Sequence, residues 1–234
     1  MTRRITQGPS ILKHLRSLSP TRACTFTEAL GLAERQAARF NQILSTDSLS
    51  YQLGGITDHH IADLPRFTVV YERLPVSGMS HWNGQEWIIC INKDDPEVRQ
   101  RFTLLHEFKH VIDHGRTGQL YTGGSRTTAH DQAERAADYF AGCTLVPRVA
   151  LKSAWGNGLQ RPAVLAEHFG VSEAAIRVRL DQTGLSREID PEPEDNQPRA
   201  RCQRPVWTPR WQKQRFEIRE PNYAERNRRY AHHH

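Results

Sequence analysis

The sequence predicts an α+β fold, in which a small antiparallel sheet packs on two motif-bearing helices and a helix-turn-helix-like segment follows. A β-rich run at Phe67–Tyr71 predicts the first strand. Two further strands, Gly78–Trp82 and Glu86–Asn92, flank the dipeptide Asn83-Gly84, a strong hairpin signal. The helices are predicted by two later stretches in which apolar or alanine residues recur at helical spacing.

The first motif-bearing helix is predicted to run from Pro96 to His114. Asp95 is expected as its N-cap with Pro96 in the first turn, and Gly115 follows its last residue. These residues are typical helix start and stop signals. One face is apolar and predicts burial of the helix; it consists of Phe102, Leu105, Phe108, Val111 and Ile112.

The segment His106–His110 within this helix reads His-Glu-Phe-Lys-His and follows the H-E-x-x-H pattern. Histidines four residues apart on a helix differ by about 40° in direction and by about 6 Å along the axis. Both imidazoles can therefore reach one tetrahedral Zn²⁺ from the same side. Glu107 lies beside that face and could act as a general base on water. The segment predicts metal-dependent hydrolysis of peptide bonds.

A catalytic zinc needs a third protein ligand in addition to two histidines. The Ala-rich helical stretch Ala133–Ala141 offers Glu134 as the best third ligand. Asp138 lies one turn further along the same face and could orient a ligand histidine through a hydrogen bond.

Other residues compete for these positions. His114 is four residues beyond His110 but is rotated by about 80° from His106, so ligation by all three histidines would be strained. His114 is kept as a residue that could orient a ligand. His130 and Asp131 are weaker alternatives for the third ligand. The donor that would stabilise a tetrahedral oxyanion stays open among Tyr121, His130 and Tyr139.

Two longer segments resemble the signatures of the ImmA/IrrE family of metallopeptidases. Arg101–His114 is similar to the metal-binding helix of that family, and Glu134–Pro147 to its second signature, usually written E-x-x-A-N/D-x-F-A…L-M-P. Lys109 stands where many members have Gly, and Val146 replaces the usual Met. Neither difference touches an expected ligand.

The resemblance covers roughly residues 56 to 182 and implies a zincin-like core with zinc endopeptidase activity. It carries the metal ligands of the family onto His106, His110 and Glu134, and the catalytic glutamate onto Glu107. The usual targets of the family are helix-turn-helix repressors of phages, mobile elements or stress regulons, which implies a repressor as protein substrate. Manganese or iron(II) could replace zinc, because sites with two histidines and a carboxylate accept several metals.

A helix-turn-helix-like segment at residues 159–182 follows the second signature. Gly170 occupies its turn position, and Ser172 would cap its second helix. As a DNA reader, this segment would present Arg177 and Arg179 to the major groove. Alternatively it serves packing or partner contact, as the family resemblance implies.

The N-terminal segment, residues 1–50, is helical by composition from Thr27 to Leu44. Its apolar stripe could pack on its own domain or receive a repressor, and consists of Phe26, Leu30, Ala33, Ala37, Phe40 and Leu44. The predicted peptidase core follows at residues 51–185. Within it, one strand of the sheet could hold an extended substrate through backbone hydrogen bonds, or the sheet could be purely structural.

Residues 186–231 combine an acidic, proline-broken linker with a basic, aromatic tail. Between Asn196 and Ala231 there are ten basic and three acidic residues, so this stretch carries +7 while the whole chain carries +6. Interleaved arginines and aromatic rings could hold nucleic acid, wrap the parent domain or stay disordered. The three histidines at 232–234 are interpreted as a tag remnant and excluded from site reasoning.

The composition favours a protein of the cytoplasm. No apolar run approaches the roughly 20 residues that a membrane span requires, and the basic N-terminus lacks the apolar segment of a secretion signal. The cysteines lack paired ligand spacing and are expected as free thiols in a reducing compartment: Cys24, Cys90, Cys143 and Cys202.

Two classes of function follow from these observations. The first is a zinc-dependent endopeptidase that hydrolyses a peptide bond in a regulatory protein, expected to be a helix-turn-helix repressor. The alternative is a non-catalytic regulator of the same fold that binds DNA or a repressor. The joint presence of His106, Glu107, His110 and Glu134 favours the endopeptidase, because a pure binding protein would not need all four.

Overall fold

The computed structural model describes residues 10–47, 56 and 59–188. The chain beyond residue 188, with most of the predicted linker, the basic tail and the histidine tract, lies outside this part. The helices are α1 (Ile11–Ser17), α2 (Phe26–Asp47), α3 (His59–Ala62), α4 (Glu97–Asp113), α5 (Thr117–Leu120), α6 (Ala129–Leu145), α7 (Arg148–Gly156), α8 (Pro162–Phe169), α9 (Glu173–Thr183) and a 3₁₀ helix at Leu185–Glu188. The strands are β1 (Phe67–Glu72), β2 (Gly78–Trp82) and β3 (Trp87–Asn92). The predicted α+β class is confirmed.

The predicted hairpin joins β2 and β3, which pair antiparallel. Its turn is fixed by Asn83, whose backbone N–H donates to the carbonyl oxygen of Glu86 over 3.1 Å. The side-chain oxygen of Asn83 also accepts from the backbone N–H groups of Gln85 and Glu86, each over 2.8 Å. Gly84 has a φ of +102°, a conformation that L side chains rarely adopt.

One pairing in the sheet differs from the predicted antiparallel arrangement. The strand order is β1-β3-β2, and β1 pairs with β3 in parallel, with Phe67 opposite Trp87 and Glu72 opposite Asn92. The sheet is therefore mixed, with β2 at one edge. Alternation of apolar and polar residues is the same for either strand direction, so the sequence pattern could not distinguish them.

Phe108 joins the main elements of the core. Its ring lies 5.2 Å from that of Phe40 in α2, 5.7 Å from that of Phe67 in β1 and 6.4 Å from that of Phe140 in α6, measured between ring centroids. Because Phe108 stands between the two motif histidines in sequence, burial of its ring turns both histidines away from this centre. The hydrophobic core thus sets the rotation of α4 about its axis.

The apolar stripe of α2 packs on its own domain, the first of the two alternatives for the N-terminal helix. Ala33, Ala37 and Phe40 have no exposed surface, and α2 lies along α6. A polar contact supports this packing, because the side-chain N–H of Asn41 donates to the carbonyl oxygen of Thr144 over 3.0 Å. These buried residues cannot form a docking surface while the helix stays in place.

The start of α4 lies one residue later than predicted. The N-cap residue is Pro96, without a side-chain cap, and its carbonyl oxygen accepts the N–H groups of Arg99 (2.8 Å) and Gln100 (3.0 Å). Asp95, the predicted N-cap, instead forms an ion pair with Arg99 over 3.3 Å. At the other end, Gly115 follows the cap residue with a φ of +81°, as a helix stop requires.

The helix-turn-helix-like segment has the predicted turn. Gly170 adopts the left-handed conformation with a φ of +61°, and the hydroxyl of Ser172 accepts the N–H of Ala175 over 3.2 Å as the cap of α9. Gly170 also contacts α4, because the Arg101 guanidinium donates to its carbonyl oxygen over 2.9 Å. This segment therefore packs against the helix that carries the histidine motif.

Arg179 is not presented to solvent, contrary to its expected position in a DNA reader. It is 2% exposed, and its Nε donates to the carbonyl oxygen of Val146 over 3.2 Å while Nη1 donates to Gln182 over 2.7 Å. Arg177 is exposed but bonds to Glu173 within its own helix. The sequence alone does not indicate which of the two arginines is buried, because this depends on how α9 packs.

The expectations about membrane spans and free thiols can be examined in the described part of the chain. No helix there is long and apolar enough to cross a membrane. Cys24, Cys90 and Cys143 are free thiols, whereas Cys202 lies outside the described residues.

Close approach of β2 and α4 depends on Gly78. A Cβ atom at this position would lie 2.5 Å from the Cγ2 of Thr103 in α4 and 3.0 Å from the carbonyl oxygen of Cys90 in β3. We expect Gly78→Ala to lower the free energy of unfolding by about 1–3 kcal/mol, the usual cost of overpacking. Urea titration followed by circular dichroism measures this loss.

Two further variants control this prediction. Thr103→Ala in the Gly78→Ala chain should recover part of the loss, because it removes the methyl group that the new Cβ meets. Gly118→Ala, where an added Cβ meets nothing within 4 Å, should cost little. Equal losses for the two glycine variants would contradict the proposed close approach.

Candidate metal centre

Side chains from α4 and α6 converge at one point. One ligand atom from each of His106, His110 and Glu134 lies within 4.8 Å of the others, and no other such group occurs among the described residues. The Nε2 atoms of the two histidines are 3.0 Å apart. The carboxylate oxygens of Glu134 lie 3.4 Å from Nε2 of His106 and 3.2 Å from Nε2 of His110. The structure thus brings together the three residues that the sequence singled out as ligands.

The position of Glu134 follows from how α6 begins and packs. The helix starts with a capping box, in which Thr128 accepts the N–H of Asp131 over 3.0 Å and Asp131 accepts the N–H of Thr128 over 3.1 Å. Ala133, Ala136 and Ala137 are buried, and such small side chains let α6 approach its neighbours closely. Asp131 is therefore engaged as a cap and does not reach the cluster.

Asp138 orients one of the histidines. Its Oδ1 lies 2.9 Å from Nδ1 of His106, so the other ring nitrogen, Nε2, points towards His110 and Glu134. A carboxylate that holds the far nitrogen of a ligand histidine fixes the tautomer and the ring orientation. Asp138 occupies the place that the sequence predicted for such a residue.

The electrostatics of the cluster favour a cation. Burial by itself lowers the pKa of His106, but hydrogen bonds to Asp138 and Glu134 raise it to about 10. Burial likewise raises the pKa of Glu134, yet hydrogen bonds to His106 and His110 bring it well below its usual range. The two carboxylates thus hold a positive charge on buried imidazole. Two imidazole nitrogens and a carboxylate oxygen are also a donor set of catalytic zinc, so these residues fit a divalent metal.

Glu107 lies beside the cluster without belonging to it. It is 9% exposed, and its Oε2 accepts a hydrogen bond from the hydroxyl of Ser80 in β2 over 2.9 Å. Ser80 was not predicted from the sequence. One signal was present in the sequence. Ser80 lies on the same face of its strand as Gly78 and Trp82, and the sheet was predicted to pack on the helix.

His114 and His130 have different positions relative to the cluster. His114 is the cap residue at the end of α4, and its ring packs edge-on against Trp87 with centroids 4.8 Å apart. The structure does not bring it to the three candidate ligands. His130 lies at the rim, with its side chain 80% exposed and its Nδ1 3.9 Å from a carboxylate oxygen of Glu134.

The three expected oxyanion donors differ in availability. The hydroxyl of Tyr121 is buried and donates to Asp113 over 2.5 Å, and that of Tyr139 donates to Glu34 over 3.2 Å. Both tyrosines are therefore engaged elsewhere. Of these three side chains, that of His130 lies next to a candidate ligand, Glu134.

A buried ion pair lies along α4 and links this helix to α2. The ammonium of Lys109 donates to Asp113 over 2.6 Å and to Gln36 of α2 over 2.9 Å. Burial lowers the pKa of Lys109, although the charge of Asp113 opposes this shift. Lys109 is one of the two residues that depart from the family pattern, and its side chain has no exposed surface.

Comparisons with known proteins identify a related family. The model described as Peptidase_M78, IrrE N-terminal-like domain, matches residues 65–181, which is half of the 234-residue chain. No curated protein sequence matches significantly. Among solved structures, a transcriptional regulator of Mycobacterium tuberculosis is similar with a TM-score of 0.47 and 16% sequence identity, over 74% of this chain and 52% of that chain. The present chain therefore spans about half the length of that regulator.

The contact between Asp138 and His106 yields a prediction about metal affinity. We expect Asp138→Asn to weaken zinc binding by about 10- to 100-fold, because the carboxylate no longer orients the imidazole or increases its basicity. Competition with a chromophoric chelator measures the affinity, in a chain that ends at residue 231 so that the terminal histidines do not contribute. Asp131→Asn, which changes a cap on the same helix, should leave zinc affinity unchanged. Equal affinities for the wild type and Asp138→Asn would contradict this role.

The buried ion pair yields a prediction about stability. Lys109→Met leaves the Asp113 carboxylate buried without its cation, and we expect the free energy of unfolding to fall by about 3–5 kcal/mol. Arg177→Met breaks an exposed pair with Glu173 and should cost less than about 1 kcal/mol. Urea unfolding compares the two. A Lys109→Met/Asp113→Leu chain should regain part of the loss, and a single variant as stable as the wild type would contradict the argument.

Proposed function

The chain belongs to the Peptidase_M78 (IrrE N-terminal-like) family, and we propose that it is a zinc-dependent endopeptidase that cleaves a regulatory protein. The observation that supports this proposal most directly is the convergence of His106, His110 and Glu134, together with a buried carboxylate, Glu107, at the position next to His106 on the same helix. A structural metal site would need ligands but no adjacent base, whereas peptide hydrolysis needs both.

In this proposal, His106, His110 and Glu134 hold the metal and Glu107 is the general base. Zinc in this place would polarise the scissile carbonyl and make nearby water more acidic; manganese or iron(II) would suit the same ligands. Glu107 accepts the proton of the attacking water and returns it to the leaving amine. The hydroxyl of Ser80 engages Oε2 of Glu107, which limits rotation of the carboxylate and leaves its other oxygen for the water.

The open edge of the sheet is the proposed place of the substrate. β2 has β3 as its strand neighbour in the described sheet. Backbone hydrogen bonds link Asn92 to Ser77 over 2.8 Å and Asn83 to Glu86 over 3.1 Å. Because bonded and non-bonded pairs alternate along an antiparallel ladder, the backbone N–H and C=O of Ser80 point to the open side.

This edge lies beside the proposed base, because the side chain of Ser80 contacts Glu107. An extended peptide that adds to β2 would use backbone groups for affinity, and its scissile bond would then pass near the Glu107 carboxylate. Of the two alternatives that the sequence left for the sheet, we therefore propose that β2 holds the substrate.

We further propose that the substrate is a helix-turn-helix transcriptional repressor and that cleavage takes place in the cytoplasm. The support is the usual target of the ImmA/IrrE family, since no residue pattern in this chain encodes a cleavage sequence. Nucleic-acid binding through the helix-turn-helix-like segment gains no support from Arg179, which is buried. Binding through the basic tail remains part of the proposal on the grounds of its charge and aromatic residues.

The role of Glu107 provides the test. Glu107→Gln should keep its zinc but lose cleavage by at least about 100-fold, because the amide cannot accept the proton. The assay is co-expression with the helix-turn-helix gene nearest on its genome, followed by mapping of any fragment by mass spectrometry. Glu97→Gln, in the first turn of the same helix, should cleave like the wild type. Retained cleavage by Glu107→Gln would overturn the assignment, and a metal-free chain that shifts DNA would support the non-catalytic alternative.

A further inference from the structure

Aromatic side chains form a platform at one end of β2. The rings of Trp82 and Trp87 lie 5.5 Å apart, and the ring of Trp87 lies 4.8 Å from that of His114, measured between centroids. The guanidinium carbon of Arg66 lies 4.7 Å from the centre of the Trp82 ring. We refer to Trp82, Trp87, His114 and Arg66 together as the aromatic platform.

The platform lies on the same side of the sheet as the proposed base. Side chains alternate along a strand, so Gly78, Ser80 and Trp82 share one face of β2. A Cβ on Gly78 would meet Thr103, and Ser80 contacts Glu107. Gly78 and Ser80 are about 7 Å apart along the strand. Their contacts on α4, Thr103 and Glu107, are about 6 Å apart along the helix axis.

These matching distances mean that β2 and α4 run side by side in the same direction. Trp82 therefore lies about 7 Å beyond Ser80, towards the C-terminal end of α4. The contact between Trp87 and His114, the cap residue of α4, agrees with this direction. The aromatic platform thus continues the face that begins at Glu107.

The platform combines an exposed ring with fixed support. Trp82 is 39% exposed, whereas Trp87 behind it is 8% exposed. Arg66 is itself held, because its Nε donates to the carbonyl oxygen of Gln85 over 2.6 Å and its carbonyl oxygen accepts the N–H of Trp87 over 2.9 Å. A tryptophan ring that contacts a guanidinium and a second indole is restrained, so its exposed apolar surface loses little conformational entropy on binding.

The backbone of Arg66 supports a functional interpretation. Its φ of +66° makes it the one non-glycine residue with a positive φ in the described part of the chain. Such a conformation is disfavoured for a side chain of this size and is found preferentially at binding sites. Here it places the guanidinium over Trp82 while the carbonyl oxygen still pairs with β3.

We propose that the aromatic platform is a specificity subsite that takes a large apolar side chain of the substrate, aromatic, leucine or methionine, on the N-terminal side of the cleaved bond. This inference rests on the proposed endopeptidase function. A peptide added antiparallel to β2 runs from the Trp82 end towards the Gly78 end. The residue opposite Trp82 therefore precedes, by two positions, the residue opposite Ser80 and Glu107, and its side chain lies on the face of Trp82.

The test separates binding from cleavage. The zinc-loaded Glu107→Gln chain, which lacks the proposed base, is used to select peptides from a random octapeptide library. We expect selected peptides to carry a large apolar residue, and we expect Trp82→Ala in the same chain to bind them about tenfold more weakly. Trp82→Phe should retain most of the affinity. Tyr71→Ala, which removes an equally exposed aromatic ring from β1, serves as the matched control and should bind like its parent.

A second measurement requires no change at Trp82. A selected peptide in which p-benzoylphenylalanine replaces the apolar residue is photo-crosslinked to the Glu107→Gln chain. Mass spectrometry then locates the crosslinked residue of the protein. A crosslink to residues 82–87, to Arg66 or to His114 supports the subsite, and a crosslink elsewhere overturns it. This measurement decides the question even if Trp82→Ala does not fold.

The remaining outcomes separate the two proposals. The subsite is overturned if the library yields no peptides, if the selected peptides favour acidic or small residues, or if Trp82→Ala binds them as tightly as its parent.

In a separate assay, the wild-type zinc-loaded chain is incubated with the selected peptides. Cleavage two or fewer residues after the apolar side chain supports both proposals. Selection without cleavage contradicts the endopeptidase function and leaves the subsite as a peptide-binding surface, whereas cleavage without apolar preference contradicts the subsite alone.

Discussion

The imidazole of His106 connects the two helices on which the candidate metal centre is built. One ring nitrogen lies 2.9 Å from Asp138 and the other 3.4 Å from Glu134, and both carboxylates belong to α6. A buried imidazole with two acidic neighbours gains a proton or a metal more readily than one in water. The same contacts therefore fix the distance between α4 and α6 and create a place for positive charge.

The surrounding structure can be understood as support for this contact. Phe108 enters the hydrophobic core on one side of α4, and Lys109 and Asp113 form a buried ion pair on another. Both anchors prevent rotation of α4, which would carry His106 away from α6. On the side of the sheet, Gly78 lets β2 approach closely enough for Ser80 to reach Glu107. The candidate ligands, the proposed base and the proposed substrate edge are thus positioned by separate parts of one core.

The sequence predicted those features that depend on local spacing. The four-residue repeat of His106 and His110 predicted their common face, and Asp138 was predicted as an orienting residue because it lies one turn after Glu134. The Asn83-Gly84 turn is also local, and the hairpin is present. In each case the periodicity of a helix, or the geometry of a turn, is sufficient to place the side chains.

Features that depend on contacts between distant segments were not predicted. Ser80 lies 27 residues before Glu107, and strand alternation indicates which residues share its face but not which of them a helix will meet. The parallel pairing of β1 with β3 was missed for the same reason. Arg179 was expected on a DNA-facing surface, but packing of α9 turns it towards Val146. The residues that share one face of a helix or strand can be predicted from that segment alone. The segment that this face contacts can be identified only from the fold.

The ligand set of the metal is the central claim, and X-ray absorption at the zinc edge tests it most directly. The chain should end at residue 231 and carry one equivalent of zinc. If His106, His110 and Glu134 hold the metal, we expect a shell of nitrogen and oxygen atoms at about 2.0–2.2 Å. Multiple scattering should come from two imidazoles in the wild type and from one in His110→Ala. A sulfur shell at about 2.3 Å, or a spectrum that neither His110→Ala nor Glu134→Gln changes, would contradict it.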